Sequence, residues 1–369
     1  MKNFKRLMVL VLAIALIGSL FAGCASSGVE TNKADQTQAP KVDQAATKAD
    51  QTQAPKADQP AQSGKPAKKD RKDLVLGCSM YTLGAPYFAA QANAVKRKGE
   101  EYGCKVYSTE AHDDMNKQLA DVEDLLSKGI DLLILNPKDP KGLVPATKAA
   151  TKAGVPVVII DSSIDPSADY VTTVQSNNTA NGVLVGEWLG NKMKGKHIKM
   201  ALISGAQGNP VGEDRREGVF RGLNEYLLRT NNKISDLEVV TQGWGNWAHE
   251  GGLKAMEDIL VAHPDINVLL TENDSMALGA LKAITEAGKK DQILVLAAAD
   301  GQKEALELIK KGEYGCTGMN NPALVASTAV DIGIKYLEGE KNVPKITYTP
   351  PVCITKENVD KYYDPKADF

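Results

Sequence analysis

The chain has 369 residues and a formal net charge of −2, from 44 basic and 46 acidic side chains. This balance leaves no basic excess for nucleic acid and no polybasic signal for an anionic membrane surface. Aromatic residues make up only 5% of the chain, so an aromatic side chain close to polar residues is a useful indicator of a binding site.

The N-terminus has the pattern of an export signal. Three basic residues precede an apolar run from Leu7 to Phe21, and small residues follow up to Cys24. This arrangement is typical of a secretory signal peptide, and the run is shorter than the roughly 20 residues of a membrane-spanning helix. The sequence LFAGC, from Leu20 to Cys24, resembles the lipobox of bacterial lipoproteins. It implies a signal peptide over residues 1–23 and acylation, including palmitate, at Cys24; the alternative is a plain signal peptide with an incidental cysteine.

Residues 24–73 have a different composition from the rest of the chain. Ala, Gln, Lys, Asp, Pro and Thr dominate, and the sequence KADQTQAPK occurs at residues 33–41 and again at 48–56. Such a segment buries too little apolar surface to offset the entropy lost on ordering. We therefore predict a disordered tether that holds a folded body away from the membrane.

The remaining residues, 74–369, are about twice the length of a usual single domain. Apolar strand runs alternate with helix-period segments over residues 74–174, and the same alternation restarts over residues 179–319. Alternation at this spacing predicts doubly wound parallel sheets. Because the strands are almost continuously apolar, both faces of each sheet should be covered. The predicted fold is α/β, with two Rossmann-like lobes and a ligand cleft between them.

The stretch from Val268 to Gly301 is the clearest βαβ unit. Its first strand ends at Asn273 and Asp274, and its second strand ends at Asp300. The carboxyl ends of parallel strands are where ligands bind in open sheets, because the loops diverge there. The alternative is that Asn273 and Asp274 only cap the following helix. We expect Asp274 to be that cap, and Asn273 and Asp300 to face a ligand.

Strand ends elsewhere in the chain carry similar side chains. Aromatic rings, carboxylates and amides recur at these positions, which are Tyr81, Tyr87, Phe88, Asp161, Trp247, Asn273, Asp300 and Asn320. Sugars present hydroxyl groups to carboxylates and amides, and C–H faces to aromatic rings. Hydrogen bonds to charged groups contribute about 1.5–3 kcal/mol each, so a few of them account for micromolar affinity. The pattern favours binding of a small polyhydroxylated molecule.

Catalytic motifs are not found in the sequence. It has no nucleophile elbow, no phosphate-binding GxxxxGK[ST] loop and no Rossmann fingerprint in the glycine-bearing loop of residues 204–212. His112, His197, His249 and His263 are not at metal-ligand spacing. We therefore expect neither a metal nor a cofactor, and no enzymatic activity. Cys78, Cys104, Cys316 and Cys353 lie in or beside apolar runs; we favour free thiols, although an exported protein permits disulfides.

From Leu74 to about Thr355, the chain resembles the periplasmic sugar-binding proteins of the ribose-binding type, which are substrate receptors of ABC importers. The shared stretches begin at residues 85, 134, 215, 262 and 298, and they read APYF, ILNPKDPKGLVPATKAATKAGVPVVIID, RREG, AHPDINVLLTENDSMALGALKA and AADG. The resemblance implies a type I periplasmic binding protein fold whose chain crosses between the lobes three times. It implies an N-lobe of residues 74–176 plus 321–351 and a C-lobe of residues 177–320 plus 352–369.

The resemblance also implies roles for individual residues. The family's ring-stacking aromatics fall on Tyr87, Phe88 and Trp247, its hydroxyl-binding carboxylates on Asp161 and Asp300, its cleft arginine on Arg215, and its amides on Asn273 and Asn320. The family has arginine where this chain has Ser162, and asparagine where it has Ala85. Because these changes remove a guanidinium and an amide, another pentose, a hexose or a sugar alcohol is as good a candidate as ribose. The predicted ligand-binding set is Tyr81, Tyr87, Phe88, Asp161, Ser162, Arg215, Trp247, Asn273, Asp300 and Asn320.

The resulting prediction is an exported monomeric lipoprotein, anchored to the outer face of the cell membrane, or to its periplasmic side if there are two membranes. It binds a monosaccharide or sugar alcohol and delivers it to an ABC permease. The alternatives are a sugar-sensing receptor for chemotaxis or a two-component system, a repressor of the lactose-repressor type, and a surface glycosidase. The export signal and the lack of an N-terminal helix-turn-helix argue against the repressor.

Overall fold

Two parallel sheets, each covered by helices, organise the part of the chain that the structure describes. The computed structural model describes residues 69–369, so the predicted signal peptide, Cys24 and nearly all of the tether lie outside the described residues. Within residues 69–369, no helix combines the length and the apolar character needed to cross a membrane.

The first sheet belongs to the N-lobe and is parallel throughout. Its strands are β1 (Val75–Met80), β2 (Lys105–Glu110), β3 (Leu132–Asn136), β4 (Val157–Ile160), β5 (Thr172–Ser176) and β11 (Ile346–Thr349). Their spatial order is β11-β5-β4-β3-β1-β2. The helices of this lobe are α1 (Pro86–Glu101), α2 (Met115–Ser127), α3 (Val144–Lys152) and α9 (Pro322–Leu337). Strands β3 and β4 are buried along their whole length, as expected for apolar strands covered on both faces.

The second sheet belongs to the C-lobe. Its strands are β6 (Ile198–Ser204), β7 (Leu237–Trp244), β8 (Val268–Thr271), β9 (Leu294–Asp300), β10 (Thr317–Met319) and β12 (Cys353–Ile354). Their order is β12-β10-β9-β8-β6-β7, and only β12 runs antiparallel to its neighbour. The helices are α4 (Asn178–Met193), α5 (Pro210–Asn231), α6 (His249–Ala262), α7 (Asp274–Glu286) and α8 (Lys303–Lys311).

The predicted fold class is confirmed, because both lobes are α/β with a covered parallel sheet. The sequence pattern missed α8, α9, β11 and β12. Helix α5 begins at Pro210. Asn209 accepts a hydrogen bond from Val211 N (2.9 Å) and caps this helix, and Pro210 occupies its first position. This is the position where proline sacrifices no helical hydrogen bond.

The chain passes between the lobes three times within residues 69–369: after β5, after β10 and after β11. Buried Asn181 on α4 touches all three crossing segments. Its Nδ2 donates to Ser176 Oγ (2.8 Å) and to Met319 O (2.7 Å), and its Oδ1 accepts from Val352 N (3.0 Å). One amide therefore fixes the three hinge strands relative to one another.

Candidate functional site: a ligand cleft between the lobes

A cavity of about 200 Å³ lies between the two lobes at the carboxyl ends of their strands. It is smaller than the roughly 300–1,000 Å³ of sites for drug-sized ligands, so it suits a small molecule. All ten residues predicted from the sequence line it, which are Tyr81, Tyr87, Phe88, Asp161, Ser162, Arg215, Trp247, Asn273, Asp300 and Asn320. The structure thus brings together side chains that are up to 239 positions apart, from Tyr81 to Asn320.

The N-lobe wall of the cavity is aromatic. Pro86 starts α1, and Tyr87 and Phe88 therefore sit on its first turn, where they face the cleft. The rings of Tyr87 and Phe88 meet edge to face with centroids 5.4 Å apart, and Tyr81 packs on Phe88 in the same manner at 4.9 Å. Edge-to-face contacts fix ring orientation, so this wall is preorganised for stacking.

The carboxylate of the N-lobe is Asp161, which follows β4 in a left-handed conformation with φ of 63°. Tyr87 Oη lies 2.8 Å from Asp161 Oδ1. Burial raises the pKa of the Asp161 carboxyl, and the hydrogen bond from Tyr87 and the charge of Arg215 oppose that shift. The neighbouring Ser162 Oγ donates to Asn136 Oδ1 (2.9 Å), so Asn136 holds the Ser162 hydroxyl beside the cavity.

The C-lobe wall carries a buried ion pair. Arg215 Nη2 lies 3.0 Å from Asp300 Oδ1. Two further acceptors hold the guanidinium: Nε donates to Asn178 Oδ1 (3.0 Å) and Nη1 donates to Glu272 O (2.9 Å). Buried charges require such partners. Burial raises the pKa of Asp300 to about 6, against the opposing charge of Arg215 and with Asp274 adding to the increase.

Trp247 and Asn273 form the remaining side of the C-lobe wall. Trp247 has a φ of 63°, and its ring lies over Gly205, where an added Cβ would come within 2.0 Å of the ring. Asn273 Nδ2 donates to Trp247 O (3.1 Å) and its Oδ1 accepts from Met276 N (3.0 Å). Asn273 therefore holds the tryptophan loop and caps α7 at once.

The expectation that Asp274 caps α7 is wrong. Asn273 has the extended backbone of a cap, with φ −147° and ψ 165°, and Asp274 is already inside the helix. The buried Asp274 carboxylate instead accepts from Gly301 N (2.7 Å), Gln302 N (2.8 Å) and Tyr314 Oη (2.7 Å). It holds the loop after β9 and so positions Asp300.

A chain of hydrogen bonds crosses the cleft from one carboxylate to the other. Tyr87 Oη, which contacts Asp161, is also 3.0 Å from Asn320 Oδ1, and Asn320 Nδ2 donates to Asp300 Oδ1 (3.2 Å). The order is Asp161, Tyr87, Asn320, Asp300 and Arg215. Sugar hydroxyls can both donate and accept, so they can bond to carboxylate, amide and guanidinium groups in this row.

Other cavity residues were not predicted: Ala85, Pro86, Ser176, Asn178, Asn209, Val211, Ser275 and Phe369. Asn209 and Ser275 could have been predicted from the sequence, because each is a polar residue at the start of a helix that follows a strand. Phe369 could not, because its place depends on where the tail of the C-lobe runs.

Groups of three or more metal-ligating side chains are not found among the described residues. The described cysteines, Cys78, Cys104, Cys316 and Cys353, are free thiols.

Two α/β lobes joined by three crossings, with polar and aromatic groups lining the cleft, define a two-lobed solute-binding protein. The sequence model of a family described as periplasmic binding protein domain matches residues 76–341. The chain is 34% identical over 281 residues to the ribose import binding protein of Bacillus subtilis, covering 76% of this chain and 87% of that protein. The chain belongs to the periplasmic binding protein family, and the resemblance inferred from its sequence is confirmed.

Solved structures agree with this assignment. A solute-binding protein of an ABC transporter from Actinobacillus succinogenes, with bound D-allose, has a TM-score of 0.71 and 26% identity, covering 79% of this chain and 100% of that chain. Another from Bacillus halodurans, with bound myo-inositol, has a TM-score of 0.69 and 26% identity, covering 80% and 98%. The family is one of exported solute-binding proteins.

Proposed function

We propose that the protein is the solute-binding component of an ABC importer and takes a monosaccharide or sugar alcohol into the cleft between its lobes. The row of Asp161, Tyr87, Asn320, Asp300 and Arg215 in a small cavity carries this proposal. Its donors and acceptors match several adjacent hydroxyl groups, and the aromatic wall matches the C–H face of a ring or chain. The relative named for ribose import and the solved structures with bound D-allose and myo-inositol support the same ligand class.

The ten predicted residues would contact the ligand, and hinges near Ser176, Asn320 and Pro351 would let the lobes close around it. Closure would then create the surface that the permease binds. Ser162 offers one hydroxyl where the related pattern has an arginine, and Ala85 offers no polar group. The cleft therefore has fewer donors than a ribose site of that pattern, which leaves a hexose or a sugar alcohol as strong a candidate as ribose.

A thermal-shift screen of residues 69–369 tests this function. Pentoses, hexoses, sugar alcohols, inositols and amino acids are each added in excess. A ligand at 100 times its dissociation constant stabilises the folded state by about 2.7 kcal/mol, which raises the melting temperature visibly. We expect a strong shift from one sugar or polyol. A shift from amino acids alone would overturn the ligand class but leave the fold assignment intact.

We further propose that Cys24 is acylated after cleavage of residues 1–23 and that residues 24–73 tether a monomeric binding body to the outer face of the membrane. The basic, apolar and small-residue segments before Cys24 support this. In cells, we expect the protein in the membrane fraction and the Cys24→Ser variant in the soluble exported fraction. Cys78→Ser serves as the matched control. Equal fractionation of wild type and Cys24→Ser would contradict the anchor.

A further inference from the structure

The segment of residues 364–369, which we call the strap, runs from the C-lobe across to the N-lobe. Just before it, Tyr363 Oη donates to Glu307 Oε1 on α8 (2.9 Å). Within the strap, Ala367 O accepts from Lys303 Nζ (3.0 Å), also on α8. The next residue, Asp368, forms an ion pair with Arg97 on α1. Consecutive residues of the strap are therefore bound to opposite lobes.

The strap places Phe369 in the ligand cleft. Phe369 lines the same cavity as Arg215 and Trp247. Its ring meets Tyr87 edge to face, with centroids 5.5 Å apart and an interplanar angle of 88°. Tyr87 is the residue whose hydroxyl links Asp161 to Asn320, so Phe369 packs on the central member of the polar row.

The strap is attached at few points. A separate cavity of about 430 Å³ lies beside it, lined by Arg97 and Ala323 of the N-lobe, by Lys303 and Leu306 of the C-lobe, and by Lys366 of the strap itself. The pair of Arg97 and Asp368 is exposed, with 53% and 40% of the two side chains accessible, and exposed pairs contribute little energy. The strap can therefore separate from one lobe when the lobes open.

We propose that Phe369 is a ligand-contacting residue that sets which sugars or polyols the cleft accepts, and that the strap delivers it only when the lobes are closed. This inference rests on the proposed function. The Phe369 ring adds a further aromatic face to the cleft, next to Tyr87 of α1. It also occupies volume that a bulkier ligand needs. Opening the lobes moves Arg97 away from Lys303, so either the Arg97–Asp368 pair or the Lys303–Ala367 hydrogen bond must break. We expect the exposed ion pair to break, so that Phe369 leaves Tyr87 and moves with the C-lobe.

Titration calorimetry and stopped-flow binding on the full chain test the proposal, with D-ribose, D-allose, xylitol and myo-inositol as probes. For Phe369→Ala, we expect about tenfold weaker binding of the best probe, which corresponds to about 1.4 kcal/mol and lies within the range of an aromatic contact. We also expect a changed affinity ratio between the best probe and the bulkiest one. Phe369→Leu keeps an apolar side chain without a ring and should lose most of the same affinity.

Arg97→Ala leaves the cleft residues in place and removes the N-lobe contact of the strap. We expect it to raise the dissociation rate about threefold with little change in the association rate. Arg229→Ala is the matched control, because Arg229 forms a comparable exposed pair with Glu187 at the far end of α5; its binding should equal wild type.

The measurements distinguish a failure of the strap proposal from a failure of the proposed function. If wild type binds a probe and both Phe369 variants bind all four with unchanged affinity and rates, the strap proposal is overturned and the proposed function stands. If wild type binds none of the four sugars and polyols, the proposed function fails for this panel and the strap proposal falls with it. Melting of each variant without ligand, compared with wild type, shows that any loss of binding is not a loss of folding.

Discussion

The pairing of Arg215 with Asp300 is the central feature of the site at the scale of single residues. Only 4% of Arg215 and 6% of Asp300 are exposed, and burying either charge alone would cost several kcal/mol. Asn178 and the carbonyl of Glu272 satisfy the guanidinium, and Asn320 donates to the carboxylate. The pair is therefore held by protein groups alone, which reduces the ordering that binding requires.

The raised pKa of Asp300 predicts that binding depends on pH. Its pKa of about 6 lies above the usual value for aspartate, so the folded protein binds this proton more tightly than the unfolded chain does. The stabilising effect of that proton is fully present below the unfolded pKa of about 4 and is lost as the pH rises through 6. Ligand hydroxyls donate to the ionised form, so ligand affinity should fall as the pH drops from 7.5 to 5, by up to about tenfold per unit below pH 6.

Calorimetric titration of the best thermal-shift ligand across this pH range measures the effect. Asp300→Asn should bind about 2 kcal/mol more weakly at pH 7.5 and should lose most of the pH dependence near 6. Asp291→Asn, an exposed aspartate in the same lobe, is the control and should match wild type. A flat profile for wild type, or wild-type affinity in Asp300→Asn, would remove Asp300 from the ligand contacts.

At the scale of elements, the approach of α4 to α5 holds the C-lobe wall. Glycines on both helices let the backbones come close: a Cβ added at Gly186 would lie 2.1 Å from Val219 O, and one added at Gly222 would lie 2.0 Å from Val183 O. Helix α5 carries Arg215 and α4 carries Asn181. The distance between these two helices thus positions the cleft arginine relative to the hinge.

Gly186→Ala should therefore destabilise the protein. The new methyl group meets backbone atoms that cannot move aside, and overpacking of this kind costs about 1–3 kcal/mol, more than the roughly 1 kcal/mol that alanine gains over glycine in a helix. Gly190→Ala on the same helix is the matched control, because its Cβ meets the ring of Tyr226 at 2.8 Å, a side chain that can shift. Urea unfolding should rank Gly190→Ala above Gly186→Ala in stability, and the reverse order would contradict this packing account.

At the scale of the whole molecule, Asn181 joins the three crossings between the lobes. It is fully buried, and its amide bonds to Met319 O and Val352 N. Met319 ends β10 just before the second crossing, and Val352 lies in the third crossing just before β12. A hinge of this kind lets the lobes rotate while the crossing strands keep a fixed spacing.

Asn181→Ala should leave Val352 N without its partner, at about 1–3 kcal/mol, and should leave Met319 O with only the hydrogen bond from Ser176 Oγ (3.0 Å). We expect a loss of about 2 kcal/mol in the free energy of unfolding and weaker ligand binding, because the closed geometry is less well defined. Asn191→Ala is the control on the same helix: Asn191 is exposed and bonds to Tyr226 Oη at 3.0 Å, so its loss should cost less than about 0.5 kcal/mol. Equal stability of the two variants would show that the hinge does not depend on this amide.

The sequence predicted the alternation of strands and helices and eight of the ten residues that line the cleft. Both follow from local patterns, because apolar periodicity indicates each element and the polar end of a parallel strand lies at the ligand edge of its sheet. Arg215 and Ser162 came from the family resemblance, since a charged helix residue is by itself indistinguishable from a solvated one. That these ten residues bind a ligand stays a prediction.

The hydrogen-bond and packing partners of those residues became visible in the three-dimensional structure. In the structure, Asn273 caps α7, and the Asp274 carboxylate holds the loop that contains Asp300. The sequence could not distinguish these two roles, because the backbone conformation at a single position is not visible in residue types. The residues of α9 and β11 were already assigned to the N-lobe by the family resemblance, whereas the structure placed Phe369 in the cleft and Asp368 beside α1. These placements depend on contacts between residues more than 200 positions apart, such as Arg97 with Asp368, and no local pattern encodes where the chain returns.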